Sequence, residues 1–297
     1  PTNPKDLGDF MVALVNRMGN RVAGYIILNE PNLASEWGGR TPDAVAYMSL
    51  LREAYTNARA VNPSVTIVSA PLAPTNDSGP LAVDDRGFLQ KMYDNGLKDY
   101  STVVGVNALG FAYSPDDTSY TTNGLNLSRV KQLHDIMVAN GDAGKQVWAL
   151  EVGWLQATSQ DLGQYNWMEV SETQRAQYLT RAYQKAYNEW PWMGLMFIWN
   201  LDFGIGQIPP SPGEAEPEKG FFGLLAGSDY AHAFELPSYA AVSKMDKPPA
   251  TYTPTPTPTP TPTQTPTPTP TSPPRPTPTP TPNKVFIPAL MRNMSGW

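Results

Sequence analysis

Residues 24–32 read GYIILNEPN, and in this stretch apolar, strand-favouring side chains run directly into Asn29, Glu30 and Pro31. Four consecutive apolar residues predict a buried strand of a parallel sheet. Because Pro31 cannot donate to a strand ladder and favours an extended residue before it, we expect Glu30 to be the last residue that the strand positions. The alternative is a strand followed by an ordinary polar turn. A carboxylate on a rigid strand end is what acid–base chemistry requires.

Residues 146–151 repeat the pattern, since QVWALE again ends in a glutamate, Glu151. Around these two stretches the chain alternates apolar strands with amphipathic helices, and its longest loops follow the strands. This order is typical of parallel strands covered by helices, with functional loops at the carboxyl ends of the strands. No glycine fingerprint follows a strand, which disfavours a dinucleotide-binding sheet. Strands are predicted near residues 23–28, 65–69, 103–106, 146–151 and 194–199, and helices near 6–18, 42–61, 88–93, 128–140, 172–190 and 238–245.

The composition limits the classes of function. The formal charge is −6 and no basic run offsets phosphates, so a nucleic-acid partner is disfavoured. The chain has no Cys and two His, a poor supply of metal ligands, and we predict neither a metal nor another cofactor. Eight Trp and fourteen Tyr supply flat, amphipathic rings that suit sugars. No apolar stretch approaches the ~20 residues that a membrane-spanning helix needs.

The end of the chain differs in character from the rest. Residues 251–283 consist largely of a Thr-Pro repeat, which predicts a disordered, extended, polyproline-II-like linker or stalk. Residues 284–297 form an apolar tail that is too short to span a membrane. We interpret the tail as a candidate signal for cell-surface attachment, and the alternative is a disordered end. The folded domain is therefore predicted at residues 1–250.

Three motifs in this domain resemble the retaining glycoside hydrolases of the (β/α)8 four/seven superfamily, or clan A. They are LNEP at residues 28–31, WALEVGW at residues 148–154 and FIWN at residues 197–200. The resemblance is best to the cellulase-like family 5 and the β-xylosidase-like family 39. It implies an α/β fold, a TIM (β/α)8 barrel of which strands four to eight are recognisable. We expect an N-terminally truncated barrel from a longer enzyme, with two sheet edges and an apolar inner face exposed.

The resemblance also implies roles for individual residues. Glu30 would be the acid/base and Glu151 the nucleophile of a retaining mechanism, in which the two carboxyl groups lie ~5–5.5 Å apart. Such proximity raises the pKa of one carboxyl and keeps an acid protonated near neutral pH. Asn29 would hydrogen-bond the sugar 2-hydroxyl, and Trp199 would be the stacking floor beneath the sugar. The alternative for Glu151 is an ordinary surface glutamate at a strand end.

Further residues are assigned on weaker grounds. Trp37 and Trp154 are predicted walls of the sugar site because both lie on strand-end loops, and for each the alternative is a packing residue. Members of the superfamily often carry a His just after strand six, where this chain has Asn107. Tyr113 would supply a hydroxyl to Glu151.

These observations predict an exported hydrolase that cleaves O-glycosidic bonds of a polysaccharide or oligosaccharide, outside a bacterial cell or on its surface. One alternative is a non-catalytic carbohydrate-binding or surface-display protein that keeps the barrel scaffold. Another is an α/β protein with an open sheet and an unrelated ligand. The glutamate pair favours the enzyme, whereas the missing first strands and the absent strand-six His favour the binding protein.

Overall fold

The computed structural model describes residues 3–117, 124–205 and 218–246, so the predicted linker (251–283) and tail (284–297) lie outside the described residues. The helices are α1 (Pro4–Met18), α2 (Ala44–Val61), α3 (Asp85–Asp94), α4 (Leu97–Tyr100), α5 (Arg129–Ala139), α6 (Glu172–Glu189), α7 (Glu218–Phe221) and α8 (Pro237–Lys244). The strands are β1 (Tyr25–Ile27), β2 (Ile67–Ser69), β3 (Val104–Leu109), β4 (Val147–Gly153), β5 (Leu155–Gln156), β6 (Glu169–Val170), β7 (Met193–Ile198), β8 (Gly204–Ile205), β9 (Leu225–Gly227) and β10 (Phe234–Glu235).

Five of the strands run parallel, in the order β1–β2–β3–β4–β7. The pairs β1–β2, β3–β4 and β4–β7 form parallel ladders, and a parallel bridge between Val68 and Val103 joins β2 to β3. Helices α2, α3, α5 and α6 lie between successive strands in the chain, as in consecutive β/α units. The predicted mixed α/β architecture is confirmed. The barrel is not closed, since no strand among the described residues pairs with the outer edge of β1 or β7.

The main core lies between this layer of strands and its helices. Val147 and Ala149 of β4 are fully buried, and Leu51 of α2 and Met137 of α5 belong to the same cluster. Each buried Leu or Met side chain contributes about 1.5–3 kcal/mol relative to an exposed one. These elements belong to one compact unit, Pro1–Met245.

The opposite face of the strand layer is apolar and partly open. Ile26 of β1 is 45% exposed, and Leu195 and Phe197 of β7 are 41% and 47% exposed. Because successive strand residues point to opposite faces, these side chains lie away from the helix-covered core. An open layer with an exposed apolar inner face is what the sequence predicts for strands four to eight alone.

Several predicted element boundaries differ from those of the structure, and two of the differences bear on the site. Helix α2 begins at Ala44 because the Asp43 carboxylate caps two backbone amides of its first turn, at 2.8 and 3.1 Å. Strand β3 continues past Val106 to Leu109, since its pairing with β4 resumes after a register shift between Val106 and Asn107. Asn107 therefore lies inside a strand, where the sequence indicates a loop.

Two small sheets are built from the segments that follow β4 and β7. Strand β5 pairs with β6 in parallel, and β9 lies between β8 and β10. These strands are two or three residues long and carry no sequence signal that predicts them. Among the described residues, we find no helix with the length and apolar character that membrane crossing requires.

Candidate active site

Glu30 lies three residues beyond β1, in a turn with an unusual backbone. The φ angle is 68° at Leu28 and 43° at Glu30, both in the left-handed region, so the extended Glu30 predicted from Pro31 is wrong. The turn is held because the Glu30 amide donates to the Pro71 carbonyl at 3.0 Å and the Leu33 amide donates to the Glu30 carbonyl at 2.9 Å. Left-handed non-glycine residues cost of order 1–3 kcal/mol each and persist only where the surrounding structure enforces them.

Tyr47 of α2 holds the tips of β1 and β2 together. Its hydroxyl donates to the Ile27 carbonyl at 3.2 Å and accepts from the Ala70 amide at 2.6 Å. Tyr47 is fully buried, and burial raises the pKa of its hydroxyl far above the usual range. The strand end that carries Glu30 is thereby fixed to the neighbouring strand.

Asn107 connects the two glutamates. It is paired with Glu151 across the β3–β4 ladder, and its side-chain amide donates to Glu30 Oε1 at 2.7 Å. Asn107 is 2% exposed, and its Oδ1 has no hydrogen-bond partner in the described structure. Glu30 and Glu151 are far apart in the sequence but lie together at the carboxyl end of the strand layer.

The surroundings of Glu151 oppose its ionisation. Burial, together with the negative charge of Glu30, raises the pKa of Glu151 to about 8. The charge of Glu36 acts in the same direction, whereas the positive charge of Lys219 and a hydrogen bond from the Asn29 side chain lower the pKa. Asn29 thus contacts Glu151, which lies two residues before the end of β4.

The glutamate pair therefore holds one proton near neutral pH. Without a bound sugar, burial and the negative charge of Glu30 favour a proton on Glu151. Since the two groups interact strongly, the proton belongs to the pair. The resemblance implies that Glu30 carries this proton, and that assignment stays a prediction.

Trp199 and Trp37 are half-buried on the segments that follow β7 and β1. The Trp199 ring lies 5.3 Å from the Phe203 ring at an interplanar angle of 37°, and the Trp199–Asn200 peptide is cis. Trp37 packs against the main core. Both rings lie on the loop side of the strand layer, and their contact with sugar stays a prediction.

Trp154 does not form a wall of an open site, and that prediction is wrong. Its side chain is 1% exposed, and its Nε1 donates to the Tyr113 carbonyl at 2.8 Å. The ring lies over Gly110, where an added Cβ would be 1.8 Å from a ring atom. A short strand-end loop folds the indole inward, so Trp154 packs the core. Tyr113 takes part through its backbone carbonyl, and a role for its hydroxyl beside Glu151 stays a prediction.

The two histidines pack locally, apart from the glutamates. His134 on α5 stacks on Trp192, with ring centroids 4.2 Å apart, and His232 Nδ1 lies 2.7 Å from an Asp229 carboxylate oxygen. In the ranges that the structure describes, no group of three or more His, Asp or Glu side chains is arranged to hold a metal ion.

Solved structures of glycoside hydrolases have the same fold. A GH39 β-xylosidase from Caulobacter crescentus matches with a TM-score of 0.51 and 18% identity, over 80% of this chain and 45% of its own. A GH128 endo-β-1,3-glucanase from Sorangium cellulosum matches with a TM-score of 0.53 and 12% identity, over 81% and 76%. A GH51 α-L-arabinofuranosidase from Thermotoga petrophila matches with a TM-score of 0.52 and 12% identity, over 80% and 45%.

The chain shares the mixed α/β architecture of these TIM-barrel glycoside hydrolases, although its own barrel is not closed. The match is one of architecture, because the identities are below one fifth, and the chain spans less than half the length of the GH39 and GH51 proteins. No family model and no curated protein sequence matches the chain. The architectural match therefore does not assign the chain to a family.

Two residues at the site escape sequence reasoning. Asn107 stands out in the sequence only as a departure from a family pattern, and its hydrogen bond to Glu30 depends on the extension of β3 beyond its apolar run. Tyr47 reads as one more apolar position on an amphipathic helix, and nothing local indicates that its hydroxyl joins two strands. A polar side chain directly after an apolar strand is the one signal that points to Asn107.

Proposed function

We propose that the chain carries the catalytic glutamates of a retaining glycoside hydrolase acting on a polysaccharide or oligosaccharide. The observation that supports this most is the pairing of two carboxyl groups around Asn107, with Glu30 bonded to its amide and Glu151 opposite it on the next strand. Retaining hydrolysis requires two adjacent carboxyl groups, of which one is protonated. The architecture shared with glycoside hydrolases agrees with this chemistry.

In this proposal Glu30 donates a proton to the leaving oxygen while Glu151 attacks the anomeric carbon, forming a glycosyl-enzyme. Glu30 then removes a proton from the water that hydrolyses the intermediate. As positive charge develops at the anomeric carbon, an ionised Glu151 becomes favourable, so the proton shared by the pair moves to Glu30. Asn29 orients Glu151 and binds the sugar 2-hydroxyl, and Trp199 stacks beneath the ring.

The test is chemical rescue in the full-length protein, on a panel of aryl β-xylosides, β-glucosides and α-L-arabinofuranosides. Glu151→Gly is expected to lower hydrolysis at least ~1,000-fold, and azide should restore turnover by filling the space of the lost carboxylate. Glu30→Ala is expected to keep kcat/KM near the wild-type value on dinitrophenyl glycosides, whose leaving groups need no proton, and to lose it on alkyl glycosides. Its kcat should fall on both, because Glu30 no longer activates the water of the second step.

The matched control is Glu235→Gln, which changes an exposed carboxyl on β10. It should leave all rates unchanged. Wild-type rates in Glu151→Gly would overturn its role as the nucleophile. An equal loss of kcat/KM on all leaving groups in Glu30→Ala would overturn its role as the acid.

A second candidate is a carbohydrate-binding protein without catalysis. The open inner face with exposed Ile26 and Phe197 supports it. In that case the full-length protein binds a polysaccharide but gives no turnover on the whole panel.

We also propose that the protein acts outside the cell and that its C-terminal segments attach it to the surface. The composition supports this, since residues 251–283 are a Thr-Pro spacer and residues 284–297 an apolar tail. Ending the protein at residue 250 should move it from the cell-surface fraction to the medium. Retention at the surface would show that the tail does not anchor the protein.

A further inference from the structure

Trp167 presents a flat ring to solvent on the loop side of the strand layer. It belongs to the 3-10 turn Gly163–Met168, between β5 and β6, and it is 48% exposed. Phe111 stacks against its indole ring in an offset arrangement, with ring centroids 5.5 Å apart and planes 7° from parallel. The glutamate mechanism does not use this stack.

Phe111 is a rigid base for Trp167. It is 6% exposed, and its φ angle of 52° lies in the left-handed region that non-glycine residues rarely adopt. The same backbone feature occurs at Leu28 and Glu30, beside the candidate catalytic carboxyl. Strain of this kind persists where the fold enforces a side-chain position, and it concentrates at functional sites.

The turn that carries Trp167 is braced as well. The Asn166 side chain donates to Asp161 Oδ1 at 2.7 Å and accepts from the Leu162 amide at 2.7 Å. Leu162 and Met168, on either side of Trp167, are buried in the same hydrophobic cluster as Phe111. The exposed indole therefore belongs to a turn that hydrogen bonds and buried neighbours hold in place.

The stack lies at the same end of the strand layer as the glutamates. Phe111 is the second residue after β3, and the Trp167 turn follows β4 and β5. The Gly110 amide donates to the Gly153 carbonyl at 3.0 Å. The half-buried Trp199 packs against the cluster that contains Phe111. Trp167 and Trp199 therefore belong to the same group of strand-end loops. If the reacting sugar of a polysaccharide lies on Trp199, other sugars of that chain pass along these loops.

We propose that Trp167, supported by Phe111, is a stacking platform for a pyranose ring of a polysaccharide, outside the subsite of the two glutamates. A pyranose unit of an extended chain presents a flat face of C–H groups, which packs on the exposed face of an indole that is amphipathic and already oriented. The ligand class rests on the proposed function. Binding at the platform does not require hydrolysis, so the two proposals can fail separately.

The test compares three variants of the full-length protein. Trp167→Leu keeps an apolar cover over Phe111 but removes the flat face, Trp167→Phe keeps a smaller flat face, and Tyr187→Leu removes a ring that is 64% exposed on α6. Affinity for xylan, β-1,3-glucan and carboxymethyl cellulose is measured by affinity electrophoresis, and KM is measured on a one-sugar aryl glycoside. Urea denaturation of each variant shows whether the fold is retained.

Trp167→Leu is expected to weaken binding of the polysaccharide that the wild type retains by about 5- to 10-fold. Trp167→Phe should weaken binding about half as much on a logarithmic scale. Tyr187→Leu should bind as tightly as the wild type. The one-sugar KM should stay unchanged in all three, because that substrate does not reach the platform. A merely structural role would instead alter stability and the one-sugar KM.

Equal polysaccharide affinity in Trp167→Leu and the wild type would refute the stacking role of Trp167. A wild type that binds none of the three polysaccharides would refute it as well. If the wild type binds but hydrolyses nothing, while Trp167→Leu binds weakly, the glycosidase proposal fails and the platform stands.

Discussion

Replacing Glu151 by Gln should stabilise the protein, and the gain should grow with pH. The pKa of Glu151 is raised from 4.5 to about 8 by burial and by the charge of Glu30. Between these two pH values the folded protein keeps a proton that the unfolded chain has released. Stability is therefore lost as pH rises from about 4.5, and the loss levels off above about 8. Gln has a similar shape and does not ionise, so this loss is absent from the variant.

The size of the effect follows from the interval between the two pKa values. The two pKa values differ by about 3.5 units, and each unit corresponds to 1.36 kcal/mol, so the wild type loses at most ~5 kcal/mol of stability between them. The free energy of unfolding of Glu151→Gln should equal that of the wild type near pH 4 and exceed it by ~3–5 kcal/mol near pH 9. For a domain of this size that gain corresponds to a rise in Tm of about 10 °C.

The measurement is urea denaturation followed by Trp fluorescence at pH 4, 6, 7.5 and 9. Glu235→Gln is the matched control, since its carboxyl is exposed, and its difference from the wild type should be small at every pH. A difference between Glu151→Gln and the wild type that is the same at all four pH values would refute the reasoning, because a pH-independent change comes from packing. A variant less stable at pH 9 would refute it more strongly.

Three further predictions concern the residues that shape the site. Tyr47→Phe leaves the buried Ala70 amide without its acceptor, so the free energy of unfolding, measured by urea denaturation, should fall by ~1–3 kcal/mol. An unchanged urea midpoint would contradict this. Gly110→Ala forces a Cβ into the Trp154 ring and should lower the free energy of unfolding by at least ~2 kcal/mol. At Gly79 an added Cβ has no atom within 4 Å, so Gly79→Ala should lower it far less. Equal losses in the two variants would exclude the clash as the cause. Asn107→Asp places a third carboxyl at the glutamate pair and should destabilise the protein by ~2–4 kcal/mol at pH 8 but little at pH 4, where carboxyl groups are protonated. A loss independent of pH would mean that the Asn107 amide matters through its shape alone.

Much of the strand and helix pattern could be predicted because it depends on neighbours in the chain. Apolar runs and helical periodicity indicate where the five parallel strands and the helices between them occur. Errors appear where a distant contact overrides the local preference. Pro31 favours an extended Glu30, but the Pro71 carbonyl holds the turn in the left-handed region. Trp154 lies on a strand-end loop, but Gly110 leaves room for its ring inside the core.

The sequence by itself determined that two glutamates come directly after apolar runs, Glu30 after the run that precedes Asn29 and Glu151 after residues 147–150. Only the tertiary structure decided that these carboxyl groups share one site, that Asn107 bonds one of them, and that burial keeps a proton on the pair. It also decided which indole ring is exposed, because Trp154 is buried and Trp167 is not. The physical reason is that strand and helix signals are local, whereas desolvation, charge proximity and ring stacking depend on residues far apart in the chain.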